Sequence, residues 1–274
     1  MMPVPKKCLL TVLFFAAVLT ISLPAATVDT LAIPATRMNL TAKAIIVLPA
    51  SYGETPLPVV YLLHGWSGNY RNWFDKADLQ SAADRYNLII VCPDGGYAGW
   101  YLDSSIDTTS RYESYIVYDV VDFIDQRYKT IPDEKGRVLC GLSMGGHGAL
   151  SLLAKHPDRF TAAGSMSGVL DLDHSNNSYG LLDLLGPYET HGKDWTNTSC
   201  LILVENLKDL GKGIILDCGI EDRFIPDNRR VHQRLMELAI PHDYYERPGG
   251  HSWDYWVNAL DYHLIYFNKF LNRE

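Results

Sequence analysis

Basic charge is in short supply in this sequence. Its 24 lysines and arginines face 32 aspartates and glutamates, a formal net charge of −8 at pH 7. No basic stripe interrupts that balance, which excludes a nucleic-acid partner held through its phosphates. Cysteine is scarce as well, at five residues. Cys8, Cys92, Cys140, Cys200 and Cys218 show neither a C-x-x-C pair nor Cys/His ligand spacing, so no metal site is expected. Cys92, Cys140 and Cys218 fall in or at the end of apolar strand-like runs, the setting of buried free thiols, although an exported chain would permit disulfides. Long hydrophobic runs are nearly absent. The exception, Cys8 to Leu23, follows Lys6 and Lys7 and leads into Pro24-Ala25-Ala26. A basic start, an apolar stretch and small residues make a secretory signal peptide with cleavage after Ala25 or Ala26, and hence an exported protein, periplasmic or extracellular. With no second such run, the mature chain is expected to be soluble and without stable membrane insertion. Repeats and low-complexity tracts are missing too.

What is present is an alternation of apolar strands and amphipathic helices. Leu31 to Leu48 reads as a strand pair stopped by Pro49, and Pro58 to Leu63 as a strand apolar on both faces, the kind that parallel sheets bury. Trp73 to Tyr86 reads as a helix, Leu88 to Cys92 as a strand, and Tyr112 to Tyr128 as a long helix. Further strands are expected at Gly136–Cys140, Phe160–Gly168, Gly213–Gly219 and His242–Arg247, with helices at Asn228–Leu238 and Trp253–Leu271. This rhythm predicts one α/β domain over residues 26–274, with a mostly parallel, doubly wound sheet and helices on both faces. Asp171 to Lys212 breaks it. That stretch is rich in Asp, Asn, Ser and Gly and fits an insertion over the strand ends, a cap or substrate loop.

Gly141-Leu142-Ser143-Met144-Gly145 spells G-x-S-x-G between a short apolar strand and a helix that opens on small residues. A strand, a sharp turn and a helix expose a serine hydroxyl at the top of a sheet, so Ser143 is the candidate nucleophile. A hydroxyl needs a base to take its proton and an acid to orient that base. Where the order is Ser, acid, His, each partner follows a strand. His251 lies in Pro248-Gly249-Gly250-His251-Ser252, a glycine loop after the last strand, and is the candidate base among nine histidines. The acid lies in Asp217-Cys218-Gly219-Ile220-Glu221-Asp222, where Asp222 is favoured on placement and Glu221 is the rival. An oxyanion needs two N–H donors. The Met144 amide is one. The other should come from Leu63-His64-Gly65-Trp66, where Trp66 is preferred to Gly65 and His64 is taken as a brace.

These blocks together resemble the putative-esterase (esterase D-like) family of α/β-hydrolases. The resemblance runs from about Leu31 to Leu271 and is carried by Tyr61–Gly65, Gly141–Ala149, Cys218–Asp222 and Gly249–Trp253. It implies an α/β-hydrolase fold, a triad of Ser143, Asp222 and His251, and Trp66 and Met144 amides as the oxyanion hole, with no metal or organic cofactor. The family spans acetylxylan and feruloyl esterases of carbohydrate esterase family 1, tributyrin esterases, S-formylglutathione hydrolases and mycolyltransferases. A signal peptide argues against the cytosolic thioesterase, and no lipid groove is evident. Tyr97, Trp100 and Tyr101, in a glycine-rich loop after a strand, are candidate substrate contacts, while Trp253 is assigned to packing. The expected substrate is an acetyl or feruloyl ester of plant-type polysaccharide, or a small short-chain ester. The alternatives are an acyltransferase with the same triad, an S-formylglutathione hydrolase-like thioesterase, and a non-catalytic binding module on the hydrolase fold.

Overall fold

The computed structural model describes Met2, residues 25–172 and residues 178–271. The expected signal segment, apart from Met2 and Ala25, lies outside the described residues. Eight strands form one sheet in the order β1-β2-β4-β3-β5-β6-β7-β8. β1 (Thr27–Ala35) and β2 (Leu40–Leu48) are an antiparallel hairpin, and β2 pairs antiparallel with β4 (Ile89–Pro93). From β4 onward the sheet is parallel: β3 (Val59–Leu63), β5 (Arg137–Leu142), β6 (Ala162–Met166), β7 (Gly213–Gly219) and β8 (Asp243–Arg247). The strands β3, β4 and β5 are buried along their whole length, as sheets covered on both faces require.

Each face has its own apolar core. One packs Leu150 and Leu153 of the helix Met144–Lys155, Val121 and Ile124 of Val121–Arg127, and Val231 and Leu235 of Ile225–Glu237. The opposite face packs Leu79 and Ala83 of the helix Leu79–Tyr86 and Trp256, Leu260, Leu264 and Phe267 of Trp253–Leu271. The chain runs from β3 to β4 on one side, then returns across β3 to place β5 on its other side. The order in which strands are added therefore reverses between β3 and β5, and a crevice opens beyond their carboxyl ends. His64–Gly68 leaves β3 at that point and Ser143 leaves β5.

Several elements differ from the sequence expectation for local reasons. Trp73 to Tyr86 is two helices, Asn72–Lys76 and Leu79–Tyr86. Ala77 is extended there, and the Asp78 carboxylate accepts the Ser81 N–H at 3.1 Å, capping a new helix. The helix expected from Asn228 begins three residues earlier, with Pro226 in its first turn. The stretch from 171 to 212 is mostly helical where described: Leu181–Leu185, Tyr188–Thr198, Cys200–Leu203 and a 3-10 turn at Val204–Leu207. Leu181, Leu184, Trp195 and Val204 join the core, and of the polar residues Asp171, Thr198 and Ser199 are buried with them. Residues 173–177 lie outside the described part. Cys92, Cys140, Cys200 and Cys218 are all buried and free, and burial pushes each thiol well above its usual pKa.

Candidate active site

β5 delivers Ser143 into a turn too tight for ordinary backbone. Its φ is 54° and its ψ −117°. A side-chain-bearing residue in such a conformation costs about 1–3 kcal/mol and persists only where its surroundings hold it. They do so here. The Ser143 N–H donates to Met166 O on β6 at 2.9 Å, and Ser143 O accepts the His147 N–H at 3.0 Å. The glycines on either side follow from the same compression. A Cβ on Gly141 would fall on the Gly145 carbonyl, and one on Gly145 would fall on the carbonyls of Leu63 and His64. The helix and the end of β3 thus touch backbone to backbone beside Ser143.

β7 and β8 supply the other two groups. His251 Nε2 accepts the Ser143 hydroxyl at 3.0 Å, and His251 Nδ1–H donates to Asp222 Oδ2 at 2.8 Å. Asp222 is buried, and its other oxygen accepts the Phe224 N–H at 2.9 Å. Burial by itself drives this carboxyl upward, but the hydrogen bond and charge of His251, together with the Phe224 amide, outweigh it and hold the group below its usual pKa. Glu221, the rival acid, is exposed and takes no part in this chain. The two loops are bound to each other. Glu221 N–H donates to Gly249 O at 3.0 Å, and Gly219 lies so close to Gly249 that a Cβ there would overlap its carbonyl. Beneath them the Asp217 carboxylate accepts Arg247 at 2.5 Å and the Tyr255 hydroxyl, tying β7 and β8 to the C-terminal helix. The His251 ring is held edge-on by Trp256 at 4.8 Å and Phe224 at 5.1 Å.

The loop after β3 is fixed by a buried histidine. His64 Nε2 accepts the Gly95 N–H at 2.8 Å, so the ring proton sits on Nδ1 and is donated to Gly65 O at 2.8 Å. Burial keeps this ring below the usual histidine pKa, against the opposing pulls of the Gly65 carbonyl and Asp94. Gly68 N–H also donates to Gly65 O, at 3.1 Å. Because a trans peptide sets its C=O and the following N–H on opposite sides, anchoring Gly65 O fixes the direction of the Trp66 N–H. Gly65 lies against Ser143, its absent Cβ 3.5 Å from the serine Cβ.

A cavity of about 540 Å³ opens over Ser143. Its aromatic lining is Trp66, Trp100, Tyr179, Phe224, Trp253 and Trp256. Trp100 is a buried wall with a φ of 52°, and its indole N–H donates to Tyr179 O at 2.9 Å. The other two residues of the Gly-rich loop stand elsewhere. Tyr97 is exposed, is not part of the cavity lining, and packs edge-on against Trp66 at 5.1 Å. Tyr101, expected to touch substrate, does not line the cavity. It is buried against Gly95 and Gly148, and its hydroxyl donates to His64 O at 3.0 Å, beneath the oxyanion loop. Trp253, assigned to packing, does line the cavity while also stacking edge-on to Trp73 at 5.2 Å. Tyr179, Phe224 and Trp256 went unforeseen. Phe224 stands two residues after Asp222 and Trp256 about one helical turn after the His251 loop, so proximity to the motifs was their only signal. Tyr179 enters from the helical excursion and had none. Among the described residues no group of three His, Cys, Asp or Glu is placed to hold a metal.

Known proteins share this architecture. An esterase of Mycobacterium tuberculosis is 32% identical over 236 residues, covering 75% of this chain and 51% of its own length. The chain thus spans about half of that relative. An acetyl esterase of Caldicellulosiruptor saccharolyticus is 27% identical over 223 residues, covering 75% of this chain and 83% of that protein. A solved ferulic acid esterase superposes with a TM-score of 0.79 at 25% identity, covering 90% of this chain and 99% of that one. Residues 35–267, which carry the nucleophile elbow, the acid loop and the histidine loop, match the family described as putative esterase, and the chain belongs to that family of α/β-hydrolases.

Proposed function

We propose that this protein is an exported serine carboxylic-ester hydrolase that works through an acyl-enzyme. The observation that carries the reading is the continuous hydrogen-bonded chain from Ser143 Oγ through His251 to Asp222, at the floor of a cavity. In the proposed cycle His251 takes the Ser143 proton as the hydroxyl attacks the ester carbon. The developing oxyanion rests on the Trp66 and Met144 amides, donors whose directions are set before substrate arrives. Asp222 stabilises the imidazolium, and His251 then gives its proton to the departing alcohol. Water, deprotonated by His251, clears the acyl group and restores Ser143. No step calls for a metal or organic cofactor.

The substrate reading is an acetyl or feruloyl ester of polysaccharide, or a small short-chain ester. The cavity is of the size that holds small ligands, and its aromatic walls suit a sugar or phenolic ring. Trp66 and Tyr97 continue that aromatic surface outward to solvent, where a chain of sugars would lie. A relative named acetyl esterase and a structural neighbour named ferulic acid esterase support both acyl groups. Export rests on the signal-peptide pattern of residues 1–25, and the start of β1 at Thr27, just past the expected cleavage point, is consistent with it. No helix among the described residues is long and apolar enough to cross a membrane. A panel of acetyl, butyryl and feruloyl esters, with and without acetylated xylan, tests the substrate. Robust cleavage of simple short-chain esters with none on acetylated xylan or feruloyl esters removes the polysaccharide part.

A further inference from the structure

Apart from His251, one titratable charge lines the cavity: the guanidinium of Arg223. Most arginines of this acidic chain hold a carboxylate. Arg71 pairs with Asp75 at 2.7 Å, Arg137 with Asp125 at 2.5 Å, Arg159 with Asp122 at 2.6 Å and Arg247 with Asp217 at 2.5 Å. Arg223 pairs with none among the described residues. Its chain neighbour Asp222 is committed to His251 and the Phe224 amide. Instead the guanidinium lies 5.0 Å over the Phe224 ring and 5.7 Å over the Tyr179 ring. Those rings are walls of the reaction centre. Phe224 meets His251 edge-on at 5.1 Å, and Tyr179 meets Trp66 at 5.5 Å. Held over those rings and without a carboxylate partner among the described residues, the guanidinium keeps N–H donors in the planar fork that matches a carboxylate. An arginine mounted in this way, exposed and without an anion of its own, is a ready anion site.

We infer that Arg223 is an anion subsite, and that the ester the enzyme prefers carries a carboxylate on its alcohol part, as an acylated uronic acid or hydroxy acid does. This rests on the esterase reading above. The alcohol side follows from the mounting. Phe224 packs on His251, the group that protonates the leaving oxygen, so a substrate crossing Phe224 toward Arg223 does so with its leaving group. A neutral acetylated sugar leaves the guanidinium facing water, whereas an acidic sugar meets it.

The test pairs 4-acetoxybenzoate with its neutral counterpart 4-acetoxybenzamide. The ratio of their kcat/KM values should fall about tenfold or more on Arg223→Gln, as loss of a charge-assisted pair implies, and should shrink for the wild type at high salt. Arg223→Lys should keep part of the preference. Binding is read separately by calorimetry on Ser143→Ala. There 4-hydroxybenzoate should bind about tenfold or more tightly than 4-hydroxybenzamide, with the difference gone in the Ser143→Ala/Arg223→Gln double variant. Equal binding of the two ligands, or a difference that survives the double variant, overturns the subsite. The esterase reading fails on another result, probe hydrolysis undiminished by Ser143→Ala, and the binding arm decides the subsite even then.

Discussion

Ser143 reaches the cavity because the chain tolerates a strained backbone at one residue, and the groups around it act only if that strain holds the hydroxyl on His251. Removal of the hydroxyl in Ser143→Ala should cut kcat by about 10³-fold or more while leaving the fold intact by circular dichroism. Asp222→Asn keeps the side-chain shape but cannot stabilise the imidazolium, and kcat should drop about 10⁴-fold with a much smaller change in KM. His64 never touches substrate in this account. It positions the Trp66 amide through the Gly65 carbonyl, so His64→Ala should lower kcat about 10²-fold. That value is to be normalised to active sites titrated with a fluorophosphonate. A purely structural role would lower the titrated fraction and leave kcat per site unchanged. That Ser143, His251 and Asp222 come together, and that the early His-Gly loop lies beside them, was legible in the sequence because chain order, strand endings and glycine loops are local signals. Tyr101 was misread for a corresponding reason. A glycine-rich loop shows that aromatics stand near the strand ends, but not which way each ring turns, and Gly148 on another element draws Tyr101 inward.

Close approach governs the elements that frame the site. A Cβ at Gly145 would run into backbone carbonyls of Leu63 and His64, the latter at 2.7 Å, and neither can move without shifting β3. Gly145→Ala should therefore destabilise the protein by about 1–3 kcal/mol in urea unfolding, the range of an overpacked core. Gly192 is its control. It follows the kink at His191 (φ −124°) within Tyr188–Thr198, and its nearest neighbour, the Tyr188 ring, is at 3.7 Å. Gly192→Ala should stabilise by about 0.4–1 kcal/mol through a less free unfolded chain. The strands were legible as elements because burial on both faces leaves continuous apolar runs. The helical excursion of 171–212 was not, since its short helices are stabilised by packing of Leu181, Trp195 and Val204 against the core rather than by any propensity of their own.

Across the whole molecule, backbone strain gathers where chemistry is proposed. Ser67, Trp100, Ser143 and Tyr179 all have positive φ and all line the cavity. The interior also carries histidines buried without charge. Burial pushes His147 down to about 4 and His263 to about 3, and His64 is lowered as well. Their unfolded values are higher, so between roughly pH 6.5 and pH 4 the unfolded chain binds more protons than the folded one. Stability should therefore fall as pH drops through that window. The depressed Asp222 carboxyl adds a loss at lower pH, as its own folded value is passed. Thermal unfolding followed from pH 8 to pH 4 checks this, and a flat Tm between pH 6.5 and pH 4 would argue that the histidines are not buried neutral. The doubly wound sheet was readable from the alternation of elements alone. The side of the crevice on which each aromatic stands was not, because that depends on contacts between residues far apart in sequence, such as Trp100 with Tyr179.

The proposed acyl-enzyme is covalent, and mass spectrometry reads it directly. An activated acetyl ester is turned over in the steady state, quenched in acid and digested. One acetyl group on the hydroxyl of Ser143, absent from Ser143→Ala, is the predicted result. An acyl group on another residue, or equal turnover by Ser143→Ala, would contradict it.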